Sequence, residues 1–149
     1  DKYFLCFFGN LDKSVAEKLG FEYRSFGFLY DNVSLRLLYS ASNVFVAPSI
    51  MDAFGKTIAE SMSCGTPVVC FDATGPKDIV THKVDGYLAK PFDGTDLAYG
   101  IKWILEDNIR WKKLSENARE KVVNEFDIVK VAKRYEDLYK NILKIRKNI

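Results

Sequence analysis

The chain opens on Tyr3-Phe4-Leu5-Cys6-Phe7-Phe8, an unbroken apolar run of strand length stopped by Gly9-Asn10. A run without alternation suits a parallel strand buried on both faces. A short helix is expected from Leu11 to Leu19, closed by Gly20. Phe21 to Leu29 alternates through Tyr23, Phe26 and Phe28 and reads as a second extended segment. Asp31-Asn32 then offer helix caps ahead of Leu35, Leu37, Leu38 and Ala41, whose spacing predicts a helix packed on a sheet. Val44-Phe45-Val46-Ala47 is another buried strand, stopped by Pro48.

Past Pro48 the pattern repeats. Phe54, Ile58 and Met62 recur at four-residue spacing, which predicts a helix from Phe54 to Cys64 with Gly65 closing it. Pro67 to Phe71 follows as a core strand, and Gly75-Pro76 opens a helical turn through Asp78, Ile79 and Val80. Tyr87 to Ala89 is the last short strand. Helices are expected from Gly94 to Glu106, Ile109 to Asn124 and Ile128 to Lys147. Strands alternating with helices imply parallel pairing through right-handed crossovers. The expected fold is therefore α/β: an open, doubly wound, Rossmann-like parallel sheet with flanking helices and a helical C-terminal portion.

In such sheets ligands bind outside the carboxyl ends of the strands. Two segments, Pro48–Gly55 and Asp72–Lys77, follow consecutive strands and so open on the same edge. Within the first, Asp52 is separated from Glu60 by seven residues. A helix starting near Phe54 puts Lys56, Thr57 and Glu60 on one face, opposite Ile58 and Met62. Glu60 then lies roughly 7 Å down the axis from the first free amides, at about 1.5 Å per residue. Those amides attract an anion, and carboxylates accept hydrogen bonds from vicinal hydroxyls. Hydroxyls on either side of a diphosphate match that polarity. The structural alternatives are a cap or dipole partner for Asp52 and a solvated helix position for Glu60.

Composition narrows the choice of partner. At 149 residues, 48% of them apolar, the chain is large enough for one core. A net charge of +2 gives no footprint for a polynucleotide. Cys6, Cys64 and Cys70 lack CxxC spacing and sit in or beside apolar runs, as buried free thiols of a reducing compartment do. His82 is the single histidine, in a polar stretch that suggests an exposed loop and no metal. Gly55-Lys56-Thr57 imitates the end of a P-loop, but Ile50 occupies the position where that motif needs glycine. No G-x-G-x-x-G or G-x-S-x-G occurs. The opening apolar run is short for a signal peptide and has only Lys2 as a basic flank, and no run reaches the about 20 residues that cross a bilayer. Because it opens on Asp1 and moves at once into a strand, the chain is expected to be part of something longer.

The string as a whole resembles the donor-binding half of the GT-B glycosyltransferases, in particular the large retaining "glycosyl transferases group 1" family with its P-S-x-x-E-x-F-G-x(4)-E-A/S-M-x-x-G-T-P-V-V signature. Pro48-Ser49, Asp52, Phe54-Gly55, Glu60-Ser61-Met62, Gly65 to Val69 and Gly75…Asp78-Ile79-Val80 fall in register with it. The resemblance implies one nucleotide-sugar-binding domain over residues 1–149, without its first strands or the N-terminal acceptor domain. It assigns Glu60 to the nucleotide ribose and Asp52 to hydroxyls of the transferred sugar. It places the main-chain N–H groups of Ala53, Phe54 and Gly55 by the sugar and phosphates, and Leu29 and Asp31 by the nucleobase. The implied reaction is retaining transfer of a hexosyl group from a nucleotide diphosphate sugar to a glycan or lipid-linked acceptor, in cytoplasmic polysaccharide or glycoconjugate synthesis. No cofactor and no Asp-x-Asp metal site are implied.

Three positions depart from the pattern: Asp52 and Asp78 stand where Glu is usual, and Thr74 replaces the first of two glycines. The Arg and Lys that usually stabilise the leaving diphosphate have no counterpart here, so the chain alone is expected to be inactive. The alternatives are a noncatalytic nucleotide-binding or regulatory module and a GT-B-like epimerase. In the last helix, Ile128, Val131, Ala132, Tyr135, Leu138, Tyr139 and Ile142 form one apolar side. Lys130, Lys133, Arg134, Lys140, Lys144, Arg146 and Lys147 lie largely elsewhere. Packing against a core is the plain reading, and weak contact with an anionic membrane surface the sharper one.

Overall fold

The computed structural model describes residues 3–18 and 20–147. The expected helix end at Leu19 and the basic flank at Lys2 lie outside the described residues. The chain divides into two compact units, the first running to Leu38 and the second starting at Tyr39.

The first unit is a small parallel pair. β1 (Phe4–Phe7) and β2 (Glu22–Ser25) run in register from Phe4↔Glu22 to Phe7↔Ser25. The crossover holds α1 (Lys13–Ala16), whose first turn is capped by Asp12, Oδ1 accepting the Ser14 N–H at 2.8 Å. Burial on both faces of β1 is not borne out. Phe4 is 52% exposed and the Cys6 thiol is on the surface. One ladder partner and a four-residue helix leave most of a strand uncovered. β2 is likewise exposed along its length and shorter than the expected Phe21–Leu29.

α2 (Asn32–Ala41) starts as the sequence predicts, with Asp31 Oδ1 accepting the Ser34 N–H at 2.7 Å. Its buried side is different. Leu37 is 62% exposed and Ala41 is exposed, whereas Tyr39 is the buried residue of the helix at 3%. Leu35 and Leu38 are half-buried on the Tyr39 side, so the apolar spacing finds part of the buried face and misses its centre, because a tyrosine with an acceptor for its hydroxyl can be the core residue.

The second unit is a three-stranded parallel sheet in the order β3 (Phe45–Ala47), β4 (Val68–Phe71), β5 (Gly86–Ala89), with registers Phe45↔Val68 and Val68↔Gly86. α3 (Lys56–Ser63) and α4 (Pro76–Ile79) make the crossovers. α5 (Gly94–Leu105), α6 (Asn108–Glu125) and α7 (Ile128–Lys147) follow, the first two capped by Asp93 and Asp107.

The central strand β4 is buried at every position, and its alternation divides the core in two. Val68 and Cys70 join Ala47, Ile58, Met62, Ile79, Val80 and Ala118. Val69 and Phe71 join Tyr87, Ala89, Ile104 and Leu114. Helices therefore cover both faces, as a parallel sheet requires. Each fully buried aliphatic side chain contributes about 1.5–3 kcal/mol.

α3 ends as the Gly65 position predicts: Gly65 N–H donates to Met62 O at 2.9 Å and Thr66 N–H to Ser61 O at 3.1 Å, the two bonds of a Schellman turn. α7 departs from expectation, for its apolar side is not packed into a core. Tyr135, Leu138 and Ile142 are 56%, 51% and 47% exposed.

Candidate functional site

β3 and β4 end at Ala47 and Phe71, and the loops that follow them are joined by hydrogen bonds. Asp52 N–H donates to Thr74 Oγ1 at 3.3 Å, and Gly75 N–H donates to Asp52 O at 2.9 Å. The approach is so close that a Cβ on Gly75 would stand 2.6 Å from Phe54 Cα and N. Gly75 has an ordinary φ of −60°, so glycine is needed here for space. Thr74 adopts φ 50°, a left-handed conformation that favours glycine, and its hydroxyl takes the Asp52 N–H. This gives a physical reason for the usual glycine at that position and for how threonine is accommodated.

The Asp52 carboxylate folds back on its own loop. Oδ1 accepts the N–H of Phe54 at 3.1 Å and of Gly55 at 2.8 Å. Gly55 sits at φ 96°, and its carbonyl accepts from Ile58 and Ala59, so the helix begins at Lys56, two residues later than the periodicity predicts. Phe54 lies before the helix and sets its ring edge-on against Phe126, centroids 5.7 Å apart. Two of the three amides the sequence analysis assigned to the ligand thus point at Asp52 Oδ1. The N–H groups of Lys56 and Thr57 take no hydrogen bond among the described residues, and they are the open donors at the start of α3. Sequence reasoning missed them because it began the helix too early.

Glu60 lies one turn further along α3, away from the buried Ile58 and Met62 as expected. Its Oε2 accepts the Tyr39 hydroxyl at 3.3 Å, and its Oε1 is 3.5 Å from Lys56 Nζ. Burial first, then the Glu60 charge, pushes the Tyr39 phenol above its ordinary value, so Tyr39 is a donor at any physiological pH. Asp52, Ala53, Phe54, Gly55 and Glu60 are brought together in the second unit. Leu29 and Asp31 belong to the first, where Asp31 caps α2 and the Ser34 N–H holds its carboxyl below the ordinary range.

The remaining chemistry-bearing residues are placed elsewhere. His82 is exposed in the loop before β5, its Nδ1 accepting the Leu88 N–H at 3.1 Å. Of the expected buried thiols only Cys70 is fully buried; Cys64 is half-buried and Cys6 exposed. Among the described residues no three His, Cys, Asp or Glu side chains gather as metal ligands, and no helix is long and apolar enough to cross a membrane.

Comparison with known proteins decides the family. The family model described as "Glycosyl transferases group 1" matches residues 1–121. The chain belongs to the glycosyl transferases group 1 family. Among curated relatives, N-acetyl-alpha-D-glucosaminyl L-malate synthase of Bacillus anthracis is 30% identical over 118 residues, which are 79% of this chain and 30% of that protein. Among solved structures, sucrose-phosphate synthase from Thermosynechococcus elongatus aligns with a TM-score of 0.80 at 32% identity, over 89% of this chain and 34% of that one. The HepE protein of Anabaena, in complex with UDP-glucose, aligns at 0.75 and 27%, over 87% of this chain and 36% of that one. The group 1 chain described here thus spans about a third of the length of these relatives. Its parallel sheet with flanking helices is the architecture of the GT-B glycosyltransferases.

Proposed function

We propose that this chain is the nucleotide-sugar-binding domain of a longer retaining glycosyltransferase. The enzyme would pass a hexosyl group from a nucleoside diphosphate sugar to a glycan or lipid-linked acceptor in polysaccharide or glycoconjugate synthesis. One observation carries the reading: the Asp52 loop and Glu60 flank the start of α3 on the carboxyl edge of a parallel sheet. That edge is where such sheets take ligands, and a helix start is where they take phosphates. The UDP-glucose carried by HepE supports a donor of this class.

In this reading the diphosphate lies over the segment from Ala53 to Gly55 and meets the N–H groups of Lys56 and Thr57. Preorganised donors of this kind stabilise charge as it develops on the leaving phosphate. Glu60 accepts the ribose hydroxyls. Asp52 keeps Oδ1 on its own loop and turns Oδ2 to hydroxyls of the transferred sugar, a positioning role and not a nucleophilic one. The donor is held without a metal or cofactor. The acceptor and the cations on the leaving diphosphate come from parts of the longer enzyme, so the 149-residue chain transfers no sugar by itself. The site of action is the cytoplasm, with α7 making weak contact with the inner face of the membrane.

Thermal unfolding against a panel of UDP-, GDP- and ADP-sugars tests the proposal. Saturation to 100 times Kd adds about 2.7 kcal/mol, or roughly 5–10 °C for a domain of this size. At least one donor is expected to raise Tm, and Glu60→Ala to abolish the rise. No rise with any donor counts against the donor-binding reading, and sugar transfer by the chain alone would overturn its inactivity.

A further inference from the structure

Glu60 is held from two sides by very different partners. On one, Lys56 reaches Oε1 at 3.5 Å with a side chain that is 87% exposed. Such a contact is weak and readily exchanged. On the other, the Tyr39 hydroxyl donates to Oε2 at 3.3 Å from a residue that is only 3% exposed.

Tyr39 is held at its main chain and at its ring. Its backbone carbonyl accepts the Thr66 hydroxyl at 2.6 Å, and its ring stands edge-on to Phe45 with centroids 5.4 Å apart. Thr66 is itself anchored, its carbonyl accepting the Ser61 hydroxyl at 3.1 Å. Residues of α2, β3 and the turn after α3 therefore set one position for the Tyr39 oxygen. A carboxylate at the end of a flexible side chain loses rotamer freedom when it binds a ligand. Holding one of its oxygens beforehand removes part of that cost.

We infer that Tyr39 is a positioning residue for the ligand-binding carboxylate: its hydroxyl fixes Oε2 of Glu60 and so presents Oε1 to the ribose hydroxyls of a nucleoside diphosphate. This rests on the donor-binding reading above. Lys56 releases Oε1 when the ribose arrives, whereas Tyr39 stays. Tyr39 touches no ligand and acts only through Glu60.

Calorimetric titration of the purified chain with UDP and with 2′,3′-dideoxy-UDP tests this on wild type, Tyr39→Phe, Glu60→Gln and the double variant. Wild type is expected to prefer UDP by about tenfold, the scale of a hydrogen bond to a charged group. Tyr39→Phe should weaken UDP about three- to tenfold and leave the dideoxy analogue unchanged, and the double variant should bind UDP no more weakly than Glu60→Gln. Equal weakening of both nucleotides by Tyr39→Phe would make Tyr39 merely structural and overturn the inference, as would no weakening at all. Wild type that fails to prefer UDP overturns the donor-binding reading and the inference with it; wild type and Tyr39→Phe with the same preference overturn the inference alone. A second measurement is independent of how Tyr39→Phe folds. The Tyr39 hydroxyl proton, held by the carboxylate in the free chain, should exchange with solvent faster in Glu60→Ala by proton NMR, and unchanged exchange would overturn the contact.

Discussion

Gly75 donates its N–H to the carbonyl of Asp52 at 2.9 Å, and that bond joins the loop after β3 to the loop after β4. Gly75→Ala keeps an acceptable φ but drives a methyl group to 2.6 Å from the Phe54 backbone. Backbone atoms cannot swing aside as a side chain would, so a loss of about 1–3 kcal/mol is expected. Gly94→Ala is the control, since a Cβ there meets nothing within 4 Å. Chemical denaturation should show a lowered midpoint for the first and a near-neutral change for the second. Comparable midpoints would mean the two loops are not held together as described.

Asp52 offers a separate test, because in the proposed function the oxygen that faces the donor sugar is not the one that holds the loop. Removing Oδ1 strands the N–H groups of Phe54 and Gly55, so Asp52→Ala should cost about 1 kcal/mol, the scale of a lost cap. Asp52→Asn keeps an acceptor oxygen and should unfold close to wild type while binding a donor sugar less well. Asparagine as destabilising as alanine would show that the loop depends on the charge itself.

Stability should fall on the alkaline side of neutrality. Burial pushes the Cys70 thiol from 9.0 up to about 12, and burial with the Asp96 hydrogen bond moves the Tyr87 phenol from 10.0 to about 12. Tyr39 moves in the same direction. The folded state keeps these protons after the unfolded state has released them. Their contribution is complete below the unfolded values and is lost as pH climbs from about 9 toward 12, by up to about 1.4 kcal/mol per pH unit per group. Urea midpoints between pH 8 and 11 should decline, less steeply in Cys70→Ala. A flat profile would contradict the burial of these groups.

Much of the second unit is legible in the sequence, and the reason is length and continuity. Val68 to Phe71 is apolar without a break because β4 is buried on both faces. Gly65 marks the end of α3 because a left-handed residue is required there. Asp52 and Glu60 stand out for their spacing on either side of a helix start. What was not legible depends on contacts distant in sequence. Nothing near Tyr39 announces that Glu60, 21 residues away, will accept its hydroxyl, so the Leu37 side of α2 looked like the core. The start of α3 was misplaced because the Phe54, Ile58, Met62 spacing continues through Gly55, whose φ of 96° breaks the helix. An apolar stripe on α7 likewise records a face without saying what covers it.

Asp85 and Lys121 form the one ion pair, among the described residues, in which both partners are largely buried. Their side chains are 3% and 15% exposed, with Asp85 Oδ2 and Lys121 Nζ 3.3 Å apart. Asp85 Oδ1 accepts the Thr81 N–H at 2.8 Å, and Lys121 donates to the Thr81 hydroxyl at 2.7 Å. Lys121→Met leaves a buried carboxylate without its cation and should cost about 3–5 kcal/mol. Adding Asp85→Asn should restore part of the loss, because the stranded charge is gone. Denaturation midpoints that simply add across the two variants would argue against a coupled pair.

α7 carries the membrane part of the proposed function. Tyr135, Leu138 and Ile142 lie exposed along one side, and within 128–145 the helix has Lys130, Lys133, Arg134, Lys140 and Lys144 against Glu136 and Asp137. Lys133 pairs with Glu136 and Asp137, and Lys140 with Glu136, while Lys130 and Arg134 donate to the neutral Val123 and Glu125 carbonyls, so the helix keeps an unneutralised excess of positive charge toward an anionic surface. A helix of this kind lies in the interface, and each basic residue near an anionic leaflet contributes about 1 kcal/mol. The chain should therefore co-sediment with vesicles containing anionic lipid and not with neutral ones. Salt should release it, since screening at 0.1 M acts over about 10 Å. Replacing Tyr135, Leu138 and Ile142 by serine should abolish binding without unfolding the sheet, to which none of them contributes a core position. Sedimentation indifferent to both lipid charge and salt would remove the membrane contact and leave the exposed stripe to be covered by protein.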